Sequence, residues 1–403
     1  MSEGRYLSAR EAAEELGVSV RTLYAYVSRG LVRSEPGEGR KKRYRAEDVR
    51  ALKRRREVRR DPARAVEGIL GWGVPVMESG IARISEGRLY YRGRDAVELS
   101  RRATFEEVAA LIWLGDEGRV SEVFGGAPSG LSSRLRAARE QVGHLTPLEV
   151  FQVILPVAAS EDLAAYDLRP EAVARTGARI LRTMATVAGE ECGGDGMAET
   201  LRRGWDAGDG RLLEAALILC ADHELAVSTF AARCAASAEA TPYAVVLAGL
   251  AALQGRKHGG ALDLVEVFLK EVEDAGDARD AIARRLRRGD GVPGFGHVLY
   301  PAGDPRGAEI MRILRERLPG SGAVAFAEEV AEAVLEIMGE RPTLDFGLVV
   351  LARALELPPG AAVALFAVGR TVGWVGHAIE QYASGGLIRP RARYIGEVPG
   401  ADG

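Results

Sequence analysis

"GVPGFGHVLYPAGDPRG", residues 291–307, sets five glycines and three prolines around one histidine, His297, and closes on an Asp-Pro-Arg triplet. Glycine and proline at this density exclude a helix interior or a central strand, so the stretch reads as a constrained loop. It holds an imidazole and, nine residues later, the guanidinium of Arg306. A histidine among glycines has little packing to do. There the backbone can approach a ligand closely and point its N–H groups at a developing oxyanion. His258, in "LQGRKHGGALDLV" (253–265), stands in the same kind of setting.

The chain around this loop reads as mainly helical. "SGIARISEGRLYYRGRD" (79–95) alternates apolar and polar residues about Ser85-Glu86-Gly87, the pattern of a small hairpin. Thr104 and Glu107 have capping-box spacing and open a helix through "FEEVAALIWLGD". From there to residue 385, Ala- and Leu-rich segments of helical period alternate with short breaks at Gly143, Pro170, "GEECGGDGM" (189–197) and "LPPGA" (357–361). At 403 residues and 47% hydrophobic content the chain has room for two or three domains and a large core. Cys192, Cys220 and Cys234 form no CxxC and no even-numbered framework, which points to free thiols in a reducing compartment. The opening "MSEGRYLSAR" has no apolar targeting segment and no apolar run approaches 18 residues, so a cytoplasmic protein without a membrane partner is expected.

The net charge of −3 conceals an asymmetry. Residues 1–60 carry 17 Lys/Arg against 9 Asp/Glu, leaving 37 against 48 for the remainder, so a basic head precedes an acidic body. In the head, Ser8 and Glu11 have capping-box spacing, Ala12, Ala13 and Leu16 make an apolar stripe, and Gly17 ends the helix. "GVSVRTLYAYVSRGLV" restarts it, with Ser19 as N-cap and Val20, Leu23 and Val27 expected to face inward. Two helices about one glycine-containing turn make a helix-turn-helix, whose second helix would offer Arg21, Thr22, Tyr24, Ala25 and Ser28 to a major groove. The basic run Arg40, Lys41, Lys42 and Arg43 would meet phosphates. The segment from Arg43-Tyr44 to Glu47-Asp48-Val49 resembles the wing and following helix of the MerR and excisionase type of DNA-binding module. DNA is therefore the expected partner of the head.

Chemistry in the body rests on few residues. No phosphate loop, GxSxG elbow or HExxH motif occurs, and the spacings of 35 and 39 residues between His223, His258 and His297 fit no local metal cluster. His144 reads as a turn residue. Asp345, between Leu344 and Phe346 in "RPTLDFGL", has an apolar setting that raises a carboxyl toward a useful general base. Arg370 lies within "ALFAVGRTVGW", where a guanidinium is costly unless paired, and no acid is near in sequence, so it is expected to face an anionic ligand. Its spacing puts it on one helix face with Trp374, His377 and Gln381. Arg389 sits in a Gly/Pro-rich tail.

In order, "HELAVSTFAAR", "HGGA", "GFGHVLYPAGDPRG", "LDF", "FAVGRTVGWVGHAIEQ" and "LIRPRARYIG", preceded by "GRLYYRGRDAVEL" and "ATFEEVAALIW", resemble the short prokaryotic citrate synthases, 2-methylcitrate synthases included. The resemblance covers roughly residues 70–396 and implies the citrate synthase fold of a large and a small helical domain, here preceded by a winged helix-turn-helix. The implied boundaries are 1–60 for the head, 61–259 and 345–403 for the large domain with its C-terminal arm, and 260–344 for the small domain. It further implies condensation of acetyl-CoA or propionyl-CoA with oxaloacetate and no cofactor beyond these substrates. Asp345 would be the base, His258 the donor to the thioester carbonyl, and His297 the donor to the oxaloacetate ketone. His223, Arg306, Arg370 and Arg389 would bind oxaloacetate, the last reaching into the partner's site of a homodimer. CoA would lie along Val292, Pro293, Gly294, Phe295 and Gly296, with Arg256 and Lys257 on its phosphates. Ala226 and Leu262 stand where the family usually has asparagines, Thr343-Leu344 replaces Asn-Val, and Val298 and Pro301 replace Arg and Lys. These departures bear on rate and substrate preference. The basic head supports an alternative, a metabolite-sensing DNA-binding regulator with a citrate synthase-like ligand-binding body.

Overall fold

A computed structural model describes residues 6–28, 31–36, 42–46, 48, 49, 52, 77–126, 130–189, 196–392 and 394–396. Arg40, Lys41, Glu47, most of the basic helix up to residue 60 and Cys192 lie outside the described residues, as do the side chains of Ala25 and Ser28. Two units separate by their internal contacts, residues 1–78 with 390–403 and residues 79–389.

In the first unit β1 (Tyr6–Ser8), α1 (Ala9–Glu15), α2 (Val20–Ser28), β2 (Ser34–Pro36) and β3 (Lys42–Arg45) form a helix pair beside an antiparallel sheet of order β1-β3-β2, with Tyr44 opposite both Leu7 and Ser34. The capping box closes as the spacing predicts. Ser8 N–H donates to Glu11 Oε2 at 2.8 Å and Glu11 N–H to Ser8 Oγ at 3.3 Å. Ser19 Oγ accepts from Thr22 N–H at 3.2 Å, capping α2. Ala12, Ala13 and Leu16 meet Leu23, Val32, Tyr44, Val49 and Leu52 in a small core. Val20 departs from expectation: it is 37% exposed, because it occupies the first helical position, ahead of the turn through which Leu23 enters that core. Arg33 grips Asp48 with Nε, Nη2 and its backbone N–H, each at 2.9 Å, fastening the start of the wing to the segment after it.

The second unit opens with the expected hairpin, β4 (Ala82–Ser85) and β5 (Arg88–Tyr91), extended by β6 (Arg94–Asp95). Helices follow: α3 (Ala96–Arg102), α4 (Phe105–Leu114), α5 (Val120–Phe124), α6 (Ser133–Gln141), α7 (Pro147–Glu161), α8 (Pro170–Gly189), α9 (Met197–Gly204), α10 (Gly210–Cys220), α11 (Val227–Ser237) and α12 (Pro242–Leu253). After a glycine-rich turn come α13 (Ala261–Ala275), α14 (Ala278–Arg288), α15 (Pro305–Arg317), α16 (Gly322–Met338), α17 (Leu344–Ala354) and α18 (Ala361–Ser384).

The unit is arranged about α18, which packs against α4, α7, α8, α10, α11, α12 and α17. By length and composition it is apolar enough to cross a membrane, although Arg370, His377 and Glu380 interrupt its apolar run, but 94% of its most apolar 18-residue stretch is buried inside the protein. A helix apolar on all sides is expected in the centre of a large core. Its glycines set how closely α10 and the chain after it approach. Gly373 N–H donates to the carbonyl of Ala221 at 2.9 Å, outside its own helical ladder. A Cβ there would collide with Asp222 and lie 2.5 Å from that carbonyl. Gly373→Ala is therefore expected to lower stability by about 1–3 kcal/mol, the usual range for overpacking a core, measured as a shift of the urea midpoint at constant m-value.

Candidate active site

Three segments converge on one cluster, and local chemistry explains each. The chain leaves α10 as a strap, residues 221–226, in which Asp222 Oδ1 accepts Glu224 N–H at 2.9 Å and Glu224 takes a left-handed φ of 51°. The strap carries His223, whose Nε2 lies 3.0 Å from Tyr300 Oη. His297 sits at 5.3 Å from His223, ring to ring and edge-on, and 5.0 Å from Tyr300. Leu299 N–H donates to His297 Nδ1 at 3.1 Å, which places the ring proton of the neutral imidazole on Nε2. His258 ends a tight turn before α13; its Nε2 is 2.7 Å from Ser228 Oγ, which also accepts from the Trp374 indole at 3.3 Å.

The loop of His297 is stitched to the approach of Asp345. Gly296 N–H donates to the Arg341 carbonyl at 3.0 Å and Thr343 N–H to the Gly294 carbonyl at 2.8 Å, a short bridge pairing Phe295 with Pro342. Gly294 has a φ of 87°, and a side chain there would meet Val265 and Phe346. Asp304 then ties two helix starts together. Its carboxylate accepts Arg306 N–H at 3.0 Å at the start of α15 and Leu344 N–H at 3.1 Å at the start of α17. The same carboxylate takes both prongs of the Arg306 guanidinium, at 3.0 and 2.8 Å. Arg306 and Asp345 are thereby set within a turn of two helix N-termini that share one acceptor.

Arg370 is 1% exposed, donates through Nε to the Cys220 carbonyl at 2.7 Å and lies over the Phe366 ring at 4.8 Å. Phe366 in turn meets the His258 ring edge-on at 5.7 Å. Among the described residues Arg370 has no carboxylate within ion-pair distance.

Burial and these two guanidiniums set the protonation of the cluster. Burial first, then the charges of Arg306 and Arg370 and the neighbouring His297 and His258, hold His223 well below the ordinary histidine range. Burial and Arg370 bring His258 down to about 4, and burial and Arg306, opposed by Asp304, lower His297. All three imidazoles are neutral near pH 7. Burial pushes the Asp345 carboxyl up; Arg306 opposes it and Asp304 adds to it. Burial acts on Asp304 as well, but the charge and hydrogen bonds of Arg306 outweigh it and hold that carboxylate ionised. His223, His258, His297, Arg306, Arg370 and Asp345 therefore share one electrostatic environment.

The remaining expected residues fall elsewhere. Val292 and Phe295 turn into the core, the Phe295 ring lying tilted at 4.7 Å from that of Phe346, so a ligand along the loop meets backbone, Pro293 and the glycines 294 and 296. Arg256 and Lys257 are exposed on the turn before His258, and Arg389 is exposed beyond α18. In the first unit Arg21, Tyr24, Lys42 and Arg43 are exposed and Thr22 is half-buried. Of the departures from the family pattern, Ala226 starts α11 without a side-chain cap and Leu262 fills the core. Sequence reading missed Tyr300, Ser228 and Asp304 and named Trp374 only as a neighbour of Arg370 on its helix face; for Asp304 the signal lay in the quoted triplet, an Asx directly before a proline at a helix start. Asp304→Asn leaves Arg306 buried without its counter-charge and is expected to cost about 3–5 kcal/mol, read from denaturant unfolding.

The chain resembles known proteins over most of its length. The family model described as "Citrate synthase, C-terminal domain" matches residues 68–391, and one described as "Helix-turn-helix domain" matches residues 6–57. A citrate synthase of Haloferax volcanii is 30% identical over 370 residues, 83% of this chain and 96% of that protein. A 2-methylcitrate synthase 1 of Corynebacterium glutamicum is 29% identical over 339 residues, 76% of this chain and 89% of its own. The crystal structure of citrate synthase from Thermotoga maritima superposes with a TM-score of 0.69 at 29% identity, covering 81% of this chain and 94% of that one. With the family match running from before the hairpin to beyond the buried central helix, the chain belongs to the citrate synthase family and carries a helix-turn-helix domain at its N-terminal end.

Proposed function

We propose that this enzyme condenses acetyl-CoA or propionyl-CoA with oxaloacetate, releasing CoA and citrate or 2-methylcitrate. The observation that carries the reading is the shared environment of three neutral imidazoles, one raised carboxyl and two buried guanidiniums. Asp345 removes a proton from the carbon next to the thioester carbonyl. In this scheme the Ser228 hydroxyl, whose oxygen already accepts from the Trp374 indole, donates to His258 Nε2, and the ring carries its own proton on Nδ1 and donates it to the thioester oxygen as the enol forms. The enol carbon then attacks the ketone of oxaloacetate, whose oxygen takes the Nε2 proton of His297. Water cleaves the resulting thioester, which balances the products.

Arg306 and Arg370 hold the two carboxylates of oxaloacetate. Arg370, which has no ion-pair partner among the described residues, has its charge available for an anion. In a homodimer, the arrangement the family resemblance implies, Arg389 of each chain completes the other chain's site, which agrees with its exposed position here. CoA lies along the 292–297 backbone.

Thiol release by purified protein, with acetyl-CoA and propionyl-CoA side by side, tests the reading and ranks the substrates. Asp345→Asn is expected to lower kcat by about 10²–10⁴-fold, and unchanged turnover would overturn the assignment. A base must be ionised, so kcat falls as pH drops through the raised pKa of Asp345, and the acid limb of the profile lies above the usual aspartate range of about 3.9.

A second activity is favoured by the exposed Arg21, Tyr24, Lys42 and Arg43 on α2 and β3: the head binds DNA, with phosphate contacts dominating the affinity. Replacing Lys42 and Arg43 by alanine should weaken binding of a DNA duplex and flatten the salt dependence by about one log–log unit per lost contact, measured by fluorescence anisotropy.

A further inference from the structure

Behind His223 runs a buried polar chain that the condensation scheme leaves unused. Asp222, the residue before His223, is fully buried. One of its oxygens closes the strap turn on Glu224 N–H. The other, Oδ2, faces Nε2 of His377 at 3.3 Å. Among the described residues neither atom has a hydrogen-bond partner, although both are sealed from solvent. Leaving two such groups unpaired is costly, so the pairing of each with the other is what their burial supports.

The tautomer of His377 follows from its other neighbour. Arg233 Nη1 lies 3.2 Å from His377 Nδ1, and a guanidinium only donates, so Nδ1 accepts and the ring proton stands on Nε2, on the side of Asp222. Arg233 is itself held, with Nε donating to Gln381 Oε1 at 2.9 Å and Nη1 at 3.5 Å from Glu380 Oε2. Glu380 also receives Arg92 Nη1 at 3.2 Å and Gly80 N–H at 3.0 Å. The chain thus runs from the hairpin through one turn of α18 to the strap, and ends one residue from an imidazole in the site.

We infer that Asp222 is a positioning residue. Its carboxylate, engaged by His377 Nε2–H, sets the rotation of the strap and so the placement of His223 on the oxo acid. Because the pair stands at 3.3 Å without hydrogen-bond alignment, a small rotation of the strap completes the bond, and the same rotation carries His223. The inference rests on the condensation reading only in naming oxaloacetate as the ligand of His223.

The test compares His377→Leu with His377→Gln in the full chain. The glutamine amide donates to Asp222 and accepts from Arg233, whereas leucine does neither. His377→Leu is expected to raise KM for oxaloacetate about tenfold while leaving KM for the acyl-CoA within about twofold, with His377→Gln recovering most of the loss. Calorimetric titration with oxaloacetate alone reads the same change as Kd. A wild-type protein that binds oxaloacetate without turnover would sink the condensation reading and leave this one standing. A folded leucine variant with unchanged oxaloacetate affinity, an equal rise in both KM values, or a glutamine variant no better than leucine would overturn the inference. Should the leucine variant not fold, ¹⁵N-histidine spectra of the wild type decide: only five ring systems contribute, and a His377 proton on Nδ1 instead of Nε2 refutes the pairing.

Discussion

The site depends on one carboxylate that begins two helices. Asp304 satisfies N–H groups at the starts of α15 and α17 and neutralises the guanidinium between them. A helix start leaves its first N–H groups without partners, and here two starts are served by a single side chain buried with its counter-ion. Such a pair contributes little net stability compared with apolar packing. What it contributes is placement, since Arg306 and Asp345 cannot drift apart while both helices draw on the same acceptor. The bridge between residues 294–296 and 341–343 extends the constraint to His297.

With position fixed, burial and charge determine what each group can do. Two guanidiniums among three imidazoles discourage any further positive charge, so the histidines act as neutral donors and acceptors. The same burial works in the opposite sense on Asp345, raising a carboxyl that would otherwise be too weak a base. Arg306 is largely spent on Asp304, whereas among the described residues Arg370 is held by a carbonyl and an aromatic face and by no ion pair. The two cations therefore differ in how much of their charge remains for a ligand, a difference invisible from residue type alone.

Much of this was legible in the sequence because the informative signals were local. The capping boxes at Ser8 and Thr104, the hairpin at residues 82–91 and the helical body follow from spacing. His258 and His297 stood out because glycine-rich surroundings give a histidine no packing role. Arg370 stood out because an apolar helix does not tolerate an idle guanidinium. The unread part was non-local. Tyr300 against His223, Trp374 and Ser228 behind His258, and His377 opposite Asp222 join residues dozens to more than a hundred positions apart. No period or motif in one segment encodes which partner another segment will bring. Val20 illustrates the local limit: a helical stripe says which positions share a face, and the packed neighbour decides which of them it covers.

The central helix has a consequence for how the molecule is made. Residues 361–384 supply the middle of the core of residues 79–389, and Glu380 fastens the hairpin at Gly80 and Arg92 from about three hundred positions away. During synthesis the head has emerged and can settle around its own few apolar side chains early. The body, by contrast, must wait with its inner surfaces uncovered until residues 361–384 have been made, because they fill its centre and lie nearly three hundred positions after the hairpin they cover. A chain cut before residue 361 would consequently lack the middle of its own core and leave the faces that pack on that helix open to solvent.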